Sequence, residues 1–339
     1  MMRIGNLTLD APFFQAGLAG YSDAAMRLVA RRHGAPYAVT EAMLDQFLIR
    51  GGKGLEAARL DDADHPIAGQ LMGSHPDEIA QGADILVDLG YDVIDVNLAC
   101  PVKKIRKKAR GGHLMQAPED ATAILRAVRE VVGDRRPCTV KLRRGTDDSP
   151  EAERDFHRIF EAVIDTGYAG ATVHGRTVEQ KYIGPSRWAF LRDLVGRYGA
   201  TPGFTISGSG DIWEAADIFR MIDETGVTGV SVARGCIGNP WIFRQARAYM
   251  AGDHDAVTRP PTIAEQRQVL RDHFELSVGL HGEKKAGMMM RKFGIKFSRH
   301  HARGDEVKDA CIKVKSMADW HGVAETPQQR VGQTVLDAF

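Results

Sequence analysis

The strongest constraint on the fold is an alternation. Eight short apolar, β-rich runs recur along the first 233 residues: Phe13–Gly17, Tyr37–Thr40, Pro66–Leu71, Val93–Asn97, Cys138–Leu142, Gly170–His174, Gly203–Ser207 and Gly229–Ala233. Each is a near-continuous hydrophobic run, the pattern of a strand buried on both faces of a parallel sheet. Longer amphipathic stretches separate them. Ile79, Ala83, Leu86 and Val87 share one helical face, as do Ile124, Leu125, Val128 and Val132. Eight βα units predict a (β/α)8 TIM barrel, an α/β fold of about 250 residues. A doubly wound open sheet uses the same alternation, but no glycine-rich dinucleotide fingerprint follows the first run.

The chain has 339 residues, and the alternation stops near Met250. Residues 1–250 are therefore expected to form the barrel. Residues 251–262, with Gly252 and the pair Pro260-Pro261, read as a linker. Residues 263–339 are expected to form an all-helical domain with segments at Ile263–Leu280, Lys284–Arg299 and Asp305–Trp320. Forty-five Lys and Arg against 44 Asp and Glu exclude a chain that is basic throughout, but not local basic patches. The cysteines at 100, 138, 236 and 311 include no CxxC pair, against a structural metal or a disulfide framework. No apolar run approaches the roughly 18 residues of a membrane span, and the N-terminus has no apolar signal core. A cytoplasmic protein without a metal or a membrane partner is expected.

Barrel chemistry sits at the C-terminal ends of the strands. Those ends carry Gly17-Leu18-Ala19, Gln70, Asn97 with Cys100 beyond it, Lys141, His174, Ser209-Gly210-Asp211 and Ala233-Arg234. Glycine-rich loops after the seventh and eighth runs, each leading into a helix, suit a phosphate held by backbone N–H groups, with Arg234 as a fixed cation. Ordinary βα turns have the same composition. Lys141, ending an apolar strand, calls for an anion. The pyrimidine ring of a flavin is one such partner, with Gln70 and His174 around it. For His174 taken alone, a satisfied core histidine is the favoured reading. Cys100 lies in a loop with cations close by, where a thiol can act as a general acid; a buried structural cysteine is the alternative.

Two basic clusters complete the pattern. Lys103, Lys104, Arg106, Lys107, Lys108 and Arg110 put six cations into eight residues just after Cys100. Lys284, Lys285, Arg291, Lys292, Lys296, Arg299 and Arg303 put seven into twenty residues without an acid, and Arg291, Phe293, Lys296 and His300 are spaced for one helix face. Such surfaces bind phosphate backbones, although a charge run is often only a solvated face.

Together these segments resemble the tRNA-dihydrouridine synthases, over about Gly5 to Trp320. The motifs are Asp95-Val-Asn-Leu-Ala-Cys-Pro-Val-Lys-Lys, Thr172-Val-His-Gly-Arg-Thr177 followed by Gln180 and Tyr182, Gly208-Ser-Gly-Asp-Ile212, and Arg234-Gly-Cys-Ile-Gly-Asn-Pro-Trp-Ile-Phe243. The resemblance implies an FMN enzyme that takes hydride from NADPH and reduces a uridine in tRNA. It implies Cys100 as the general acid. It implies Gly17, Leu18, Ala19, Gln70, Lys141, His174, Ser209, Gly210, Asp211, Ala233 and Arg234 as the FMN site. Asn97, Lys103 and Arg176 would meet the substrate. Three segments depart from the family pattern: Gly17-Leu18 stands for Pro-Met, Ser209 for Asn, and Arg110-Gly-Gly-His113 for a run of small residues. A divergent enzyme acting on another RNA, and a flavin barrel acting on a free pyrimidine, remain alternatives. So do an RNA-binding protein on an inactive flavin scaffold and a flavin-free phosphate-sugar barrel. The oligomeric state is open, a monomer being compatible.

Overall fold

The computed structural model describes residues 1–102, 110–314 and 319–320. An antiparallel hairpin comes first, β1 (Met2–Ile4) paired with β2 (Leu7–Leu9). The larger sheet holds β3 (Phe13–Gln15), β4 (Ala38–Val39), β5 (Met43–Leu44), β6 (Ile67–Met72), β7 (Val93–Asn97), β8 (Cys138–Arg143), β9 (Gly170–His174), β10 (Thr205–Ser209) and β11 (Gly229–Val232). Eight of these run in the order β4, β3, β11, β10, β9, β8, β7, β6, and β4 pairs with β6 to close the ring; β5 continues along β6. Every pairing in the ring is parallel. The expected barrel is present, each predicted run supplying one strand of it.

The connecting helices form for the reasons the periodicity gives. In the helix Pro150–Asp165, the Ser149 hydroxyl caps the Ala152 N–H, a proline occupies the first turn, and Ala152, Phe156, Ile159, Phe160 and Val163 are buried on one face. Each fully buried large side chain there contributes about 1.5–3 kcal/mol. The helices Pro76–Asp88 and Pro118–Val132 likewise bury Ile79, Ala83, Leu86 and Val87, and Ile124, Leu125, Val128 and Val132.

The hairpin and β5 carry no legible sequence signal, being two or three residues per strand. The hairpin nevertheless matters. Met2, Ile4 and Leu9 pack with Phe14, Tyr37, Val39, Ala68 and Val93, so it supplies apolar residues to the core at the N-terminal ends of the strands.

The chain forms two compact units: Met1–Ser22 with Ala35–Ala233, and Asp23–Gly34 with Arg234–Phe339. The second is larger than residues 263–339. It takes the helix Ala24–Arg32, which the sequence reading counts in the barrel domain, and the helix Trp241–Met250. His281 meets Asp23 at 2.9 Å and Arg247 donates to the Gly34 carbonyl at 2.9 Å, fastening the early segment within this unit. The segment read as a linker holds a short helix, His254–Thr258. Helices follow at Ile263–His281, Glu283–Phe297 and Gly304–Lys313.

Candidate functional site

The barrel interior is built by strand parity. Side chains two apart on a strand point to the same side, so Asp95 and Asn97 on β7, Thr139 and Lys141 on β8, and Thr172 and His174 on β9 form inward columns. The register puts Gln70 beside Asp95, Asn97 beside Lys141, and Ser209 beside His174. A cavity inside the barrel is lined at one end by Gly17, Gln70 and Lys141, then by Asp95 and Thr139, and reaches Ile4 and Phe14.

Gln70, Asn97 and Asp95 are locked together. Gln70 Nε2 donates to Asp95 Oδ2 at 2.7 Å, Asn97 Nδ2 donates to Gln70 Oε1 at 2.7 Å, and the Gln70 N–H reaches Thr40 Oγ1 at 2.9 Å. Thr139 donates to Asp95 Oδ1 at 2.6 Å, and Asn97 Oδ1 accepts the Ala99 N–H at 3.0 Å. Burial pushes the Asp95 carboxyl above the usual carboxylate range, against the pull of its two donors and Lys141. The same burial draws Lys141 down to about 8; Arg143 adds to that and Asp95 opposes it. A desolvated cation beside a fixed polar network is a site prepared for an anionic or electron-rich ring edge.

Gly17 closes the other side. A Cβ there would lie 2.1 Å from the Thr40 carbonyl oxygen and 3.4 Å from Gln70 Oε1, so only glycine lets the chain pass. Beyond it, the Leu18 N–H is held by Ser22 Oγ at 2.7 Å and the Gly20 N–H by Glu41 Oε2 at 2.7 Å. Ala19 stands between these two anchors.

The loop after β10 is fixed by Arg176. Its Nη2 meets both Asp211 oxygens, at 2.7 and 2.8 Å, and the Ser186 N–H donates to Asp211 Oδ2 at 2.7 Å. Asp211 adopts φ +59 and Gly210 φ +116. A Cβ on Gly210 would lie 2.4 Å from Ser186 Oγ and 3.0 Å from His174 Cε1, so the loop passes close to the imidazole. His174 is buried, with Arg176 Nη1 at 3.5 Å from its Nε2. Arg176, proposed from sequence as a substrate contact, is thus also the partner that sets this loop. Ala233 follows β11, in the barrel unit. Arg234 opens the turn Arg234–Cys236 in the other unit, where burial, Arg299 and Arg234 draw the Lys296 ammonium below its ordinary value.

Cys100 follows β7 in a partly buried position, less open than its sequence context suggests. Burial pushes its thiol up, against the Val102 N–H and the Arg143 guanidinium, so it holds its proton at neutral pH. Arg143 Nε donates to the Ala99 carbonyl at 2.9 Å, fixing the residue before it. The Gly112 N–H donates to the Cys100 carbonyl at 3.0 Å, and a Cβ on Gly111 would lie 2.9 Å from that of Cys100. The segment Arg110-Gly-Gly is thus shaped to pass the cysteine, and Arg110 is buried 3.7 Å from Asp45. Lys103 and its neighbours to Lys108 lie outside the described residues. Cys138, Cys236 and Cys311 are buried, each pushed up to about 12.

Sequence reasoning missed Asp95 as a member of the network and Arg143 as the clamp on Ala99. A charged residue inside the apolar run Val93–Asn97 was the available signal for the first. One expectation is corrected: Phe293 does not share an exposed face with the cations near it. It is fully buried, its ring 4.2 Å from that of His273. Among the described residues no group of three metal-ligating side chains gathers, and no helix is long and apolar enough to cross a membrane.

A family model described as dihydrouridine synthase matches residues 14–334. A probable tRNA-dihydrouridine synthase of Treponema pallidum is 31% identical over 331 residues, covering 95% of this chain and 94% of that protein. The tRNA-dihydrouridine synthase B of Shewanella oneidensis is 32% identical over 301 residues, 88% of each chain. Among solved structures, histamine dehydrogenase from Rhizobium sp. 4-9 superposes with a TM-score of 0.58 at 14% identity over 81% of this chain; the match spans 50% of that longer protein. This last likeness bears on the fold alone.

Proposed function

The chain belongs to the dihydrouridine synthase family, and from that premise we propose that it reduces a uracil base of tRNA, with FMN bound at the barrel mouth and NADPH as hydride source, in the cytoplasm. The observation carrying the reading is the family match across nearly the whole chain, on a barrel whose strand ends carry Lys141 and the Gln70–Asn97 pair, with Cys100 in the loop after β7. The residues fit FMN. Gly17 leaves a backbone cradle, Gln70 and Asn97 present an ordered amide edge, and Lys141 waits as a desolvated cation. The glycine loop Ser209-Gly210-Asp211, with His174 beside it, suits a phosphate. Leu18, Ala19, Ala233 and Arg234 complete the proposed FMN set.

The chemistry FMN supplies when bound is hydride transfer, from NADPH to carbon 6 of the uracil. The chain's own residues do the rest. Cys100, kept protonated by burial, donates its proton to carbon 5. Asn97 orients the uracil, its amide held by Gln70 and the Ala99 N–H. Lys141 offsets negative charge developing next to it. Lys103 and the cations after it would hold the RNA backbone. Extruding the base from its stack costs a few kcal/mol, least in a strained loop. The test is the visible spectrum of the purified protein, followed by reoxidation after NADPH reduction, anaerobically, with and without unmodified bulk tRNA. A flavin spectrum with reoxidation accelerated by tRNA is expected. A flavin that tRNA leaves reduced would point to another RNA or a free pyrimidine; no flavin even after reconstitution would overturn the reading.

A further inference from the structure

A buried ion pair stands beside the cysteine loop, outside the chemistry described so far. Arg110 Nη2 lies 3.7 Å from Asp45 Oδ1, and the two side chains are 7% and 0% exposed. Arg110 Nε reaches Ser74 Oγ at 3.4 Å. At these separations the attraction rests on charge more than on direction, and burial strengthens it because little water screens it. Desolvation of both charges offsets most of that attraction, so what the pair adds is a fixed geometry rather than stability.

Asp45 is the fixed partner. It opens the helix Asp45–Ile49, and its Oδ1 accepts the Gln46 N–H at 2.7 Å. Gln46 Nε2 in turn reaches Glu78 Oε2 at 3.2 Å, on the helix Pro76–Asp88. A Cβ on Gly73 would lie 2.1 Å from Asp45 Oδ2, so that oxygen sits directly against the chain after β6. Oδ2 has no hydrogen-bond partner. Burial pushes the carboxyl up, opposed first by the Gln46 N–H and then by Arg110; Glu78 adds to the rise and His75 opposes it. A carboxylate this desolvated, with one oxygen unsatisfied, holds a nearby guanidinium in place.

Arg110 opens the segment that passes Cys100. Gly111 follows at φ +57, and the Gly112 N–H donates to the Cys100 carbonyl at 3.0 Å. Cβ atoms on these glycines would lie 2.9 Å from the Cys100 Cβ and 2.8 Å from its carbonyl oxygen. Two adjacent glycines leave the backbone many conformations, and a tether beside them selects one. Arg143 already holds the Ala99 carbonyl from the β8 side. The Asp45–Arg110 pair holds the other side of the cysteine from the segments after β5 and β6.

We infer that Asp45 and Arg110 are positioning residues: their pair fixes the Arg110-Gly111-Gly112 backbone, and that backbone sets where Cys100 presents its thiol. They act through Cys100 and not on the base. This rests on the reading of Cys100 as proton donor to a uracil.

The experiment compares FMN-loaded wild type, Arg110→Met, Arg110→Lys, Asp45→Asn, Cys100→Ala and the double variant Cys100→Ala/Arg110→Met. Flavin is reduced with NADPH, and its anaerobic reoxidation by an unmodified tRNA transcript is followed in single turnovers over a range of tRNA concentrations. Arg110→Met is expected to slow the limiting reoxidation rate about 10- to 100-fold, the scale set by a misplacement of about 1 Å. Half-saturating tRNA and the rate of flavin reduction stay within about twofold. Asp45→Asn keeps the shape and Arg110→Lys the charge, so each loses less. In the Cys100→Ala background Arg110→Met adds less than about twofold, because no thiol is left to place. Without RNA, alkylation of Cys100 by iodoacetamide, read by peptide mass spectrometry, is expected to run severalfold faster in Arg110→Met and Asp45→Asn than in the wild type. A full further loss on top of Cys100→Ala, or a loss carried by half-saturating tRNA, makes Arg110 an RNA contact and overturns the inference. An equal slowing of flavin reduction overturns it too, since the effect is then general. A wild type with bound flavin that tRNA never reoxidises overturns the underlying reading, whereas unchanged alkylation rates in the variants overturn the pair's hold on Cys100 by themselves.

Discussion

Lys141 offers a measurement in which the site reports on itself without substrate. Its ammonium is drawn from 10.5 to about 8 by burial, with Arg143 adding to the shift and Asp95 opposing it. Below pH 8 the lysine is charged both folded and unfolded, and folding carries the full desolvation penalty. Between about pH 8 and 10.5 the unfolded chain keeps this proton while the folded chain releases it, so stability rises with pH in that window. Above 10.5 the penalty is gone. The whole span corresponds to about 3 kcal/mol, most of which falls between pH 7 and pH 10.

Replacing Lys141 with methionine removes the titration and keeps most of the apolar stem. Urea unfolding of flavin-free wild type and Lys141→Met, at half-unit steps from pH 7 to pH 10, isolates the effect. Other groups titrating there, the buried cysteines and tyrosines among them, contribute equally to both proteins and cancel in the difference. The variant should be the more stable at pH 7, and the wild type should close most of the gap by pH 10. Parallel stability curves would mean that Lys141 titrates where a solvated lysine does. It would then be no desolvated cation, and the argument that it awaits an electron-rich partner would fall.

Three further outcomes follow from the same geometry. Gly17→Ala forces a methyl against the Thr40 carbonyl and should destabilise the barrel by about 1–3 kcal/mol and abolish flavin retention, read by thermal melting and the visible spectrum. Asp95→Asn puts an amide where Gln70 and Thr139 both donate, and withdraws the charge that supports Lys141; FMN titration should show weakened affinity, whereas unchanged affinity would remove Asp95 from the site. Cys100→Ala should retain flavin reduction by NADPH while dihydrouridine formation on tRNA, measured by mass spectrometry, falls about 10²- to 10⁴-fold; undiminished turnover would end its role as the acid.

Much of the barrel could be read from the sequence because a parallel strand is buried on both faces, so its run of apolar residues is nearly unbroken and stands out against the helices. The polar residues that close such runs were legible for the same reason: Gln70, Asn97, Lys141 and His174 interrupt a pattern that has no other use for them. The hairpin at Met2–Leu9 was not, since three-residue strands are too short to show a period. Nor was the affiliation of the helix Ala24–Arg32, whose amphipathic face suits a barrel or a helical neighbour equally. The spacing of Phe293 with Arg291, Lys296 and His300 gave one face, but spacing does not say which side of a helix its neighbours cover; here they cover the phenylalanine.

Asp95 lies one layer beneath the strand ends, where no rim residue points to it in the sequence. Yet Asp95 stands two residues before Asn97, on the same side of its strand, and it is the one acid in a run that is otherwise apolar until Asn97 closes it. A carboxylate at such a position must be met by donors or lose its charge, and the donors available at the adjoining levels of the neighbouring strands were Gln70 and Thr139. The register supplies both. Parity on β7 together with polarity on β6 and β8 was therefore enough to infer a supporting layer, and that layer fixes the Gln70 amide on which the Asn97 side chain depends. The rim residues could be found one at a time from their own strands; the order among them comes from an acid one level down, which only the pairing of three strands makes visible.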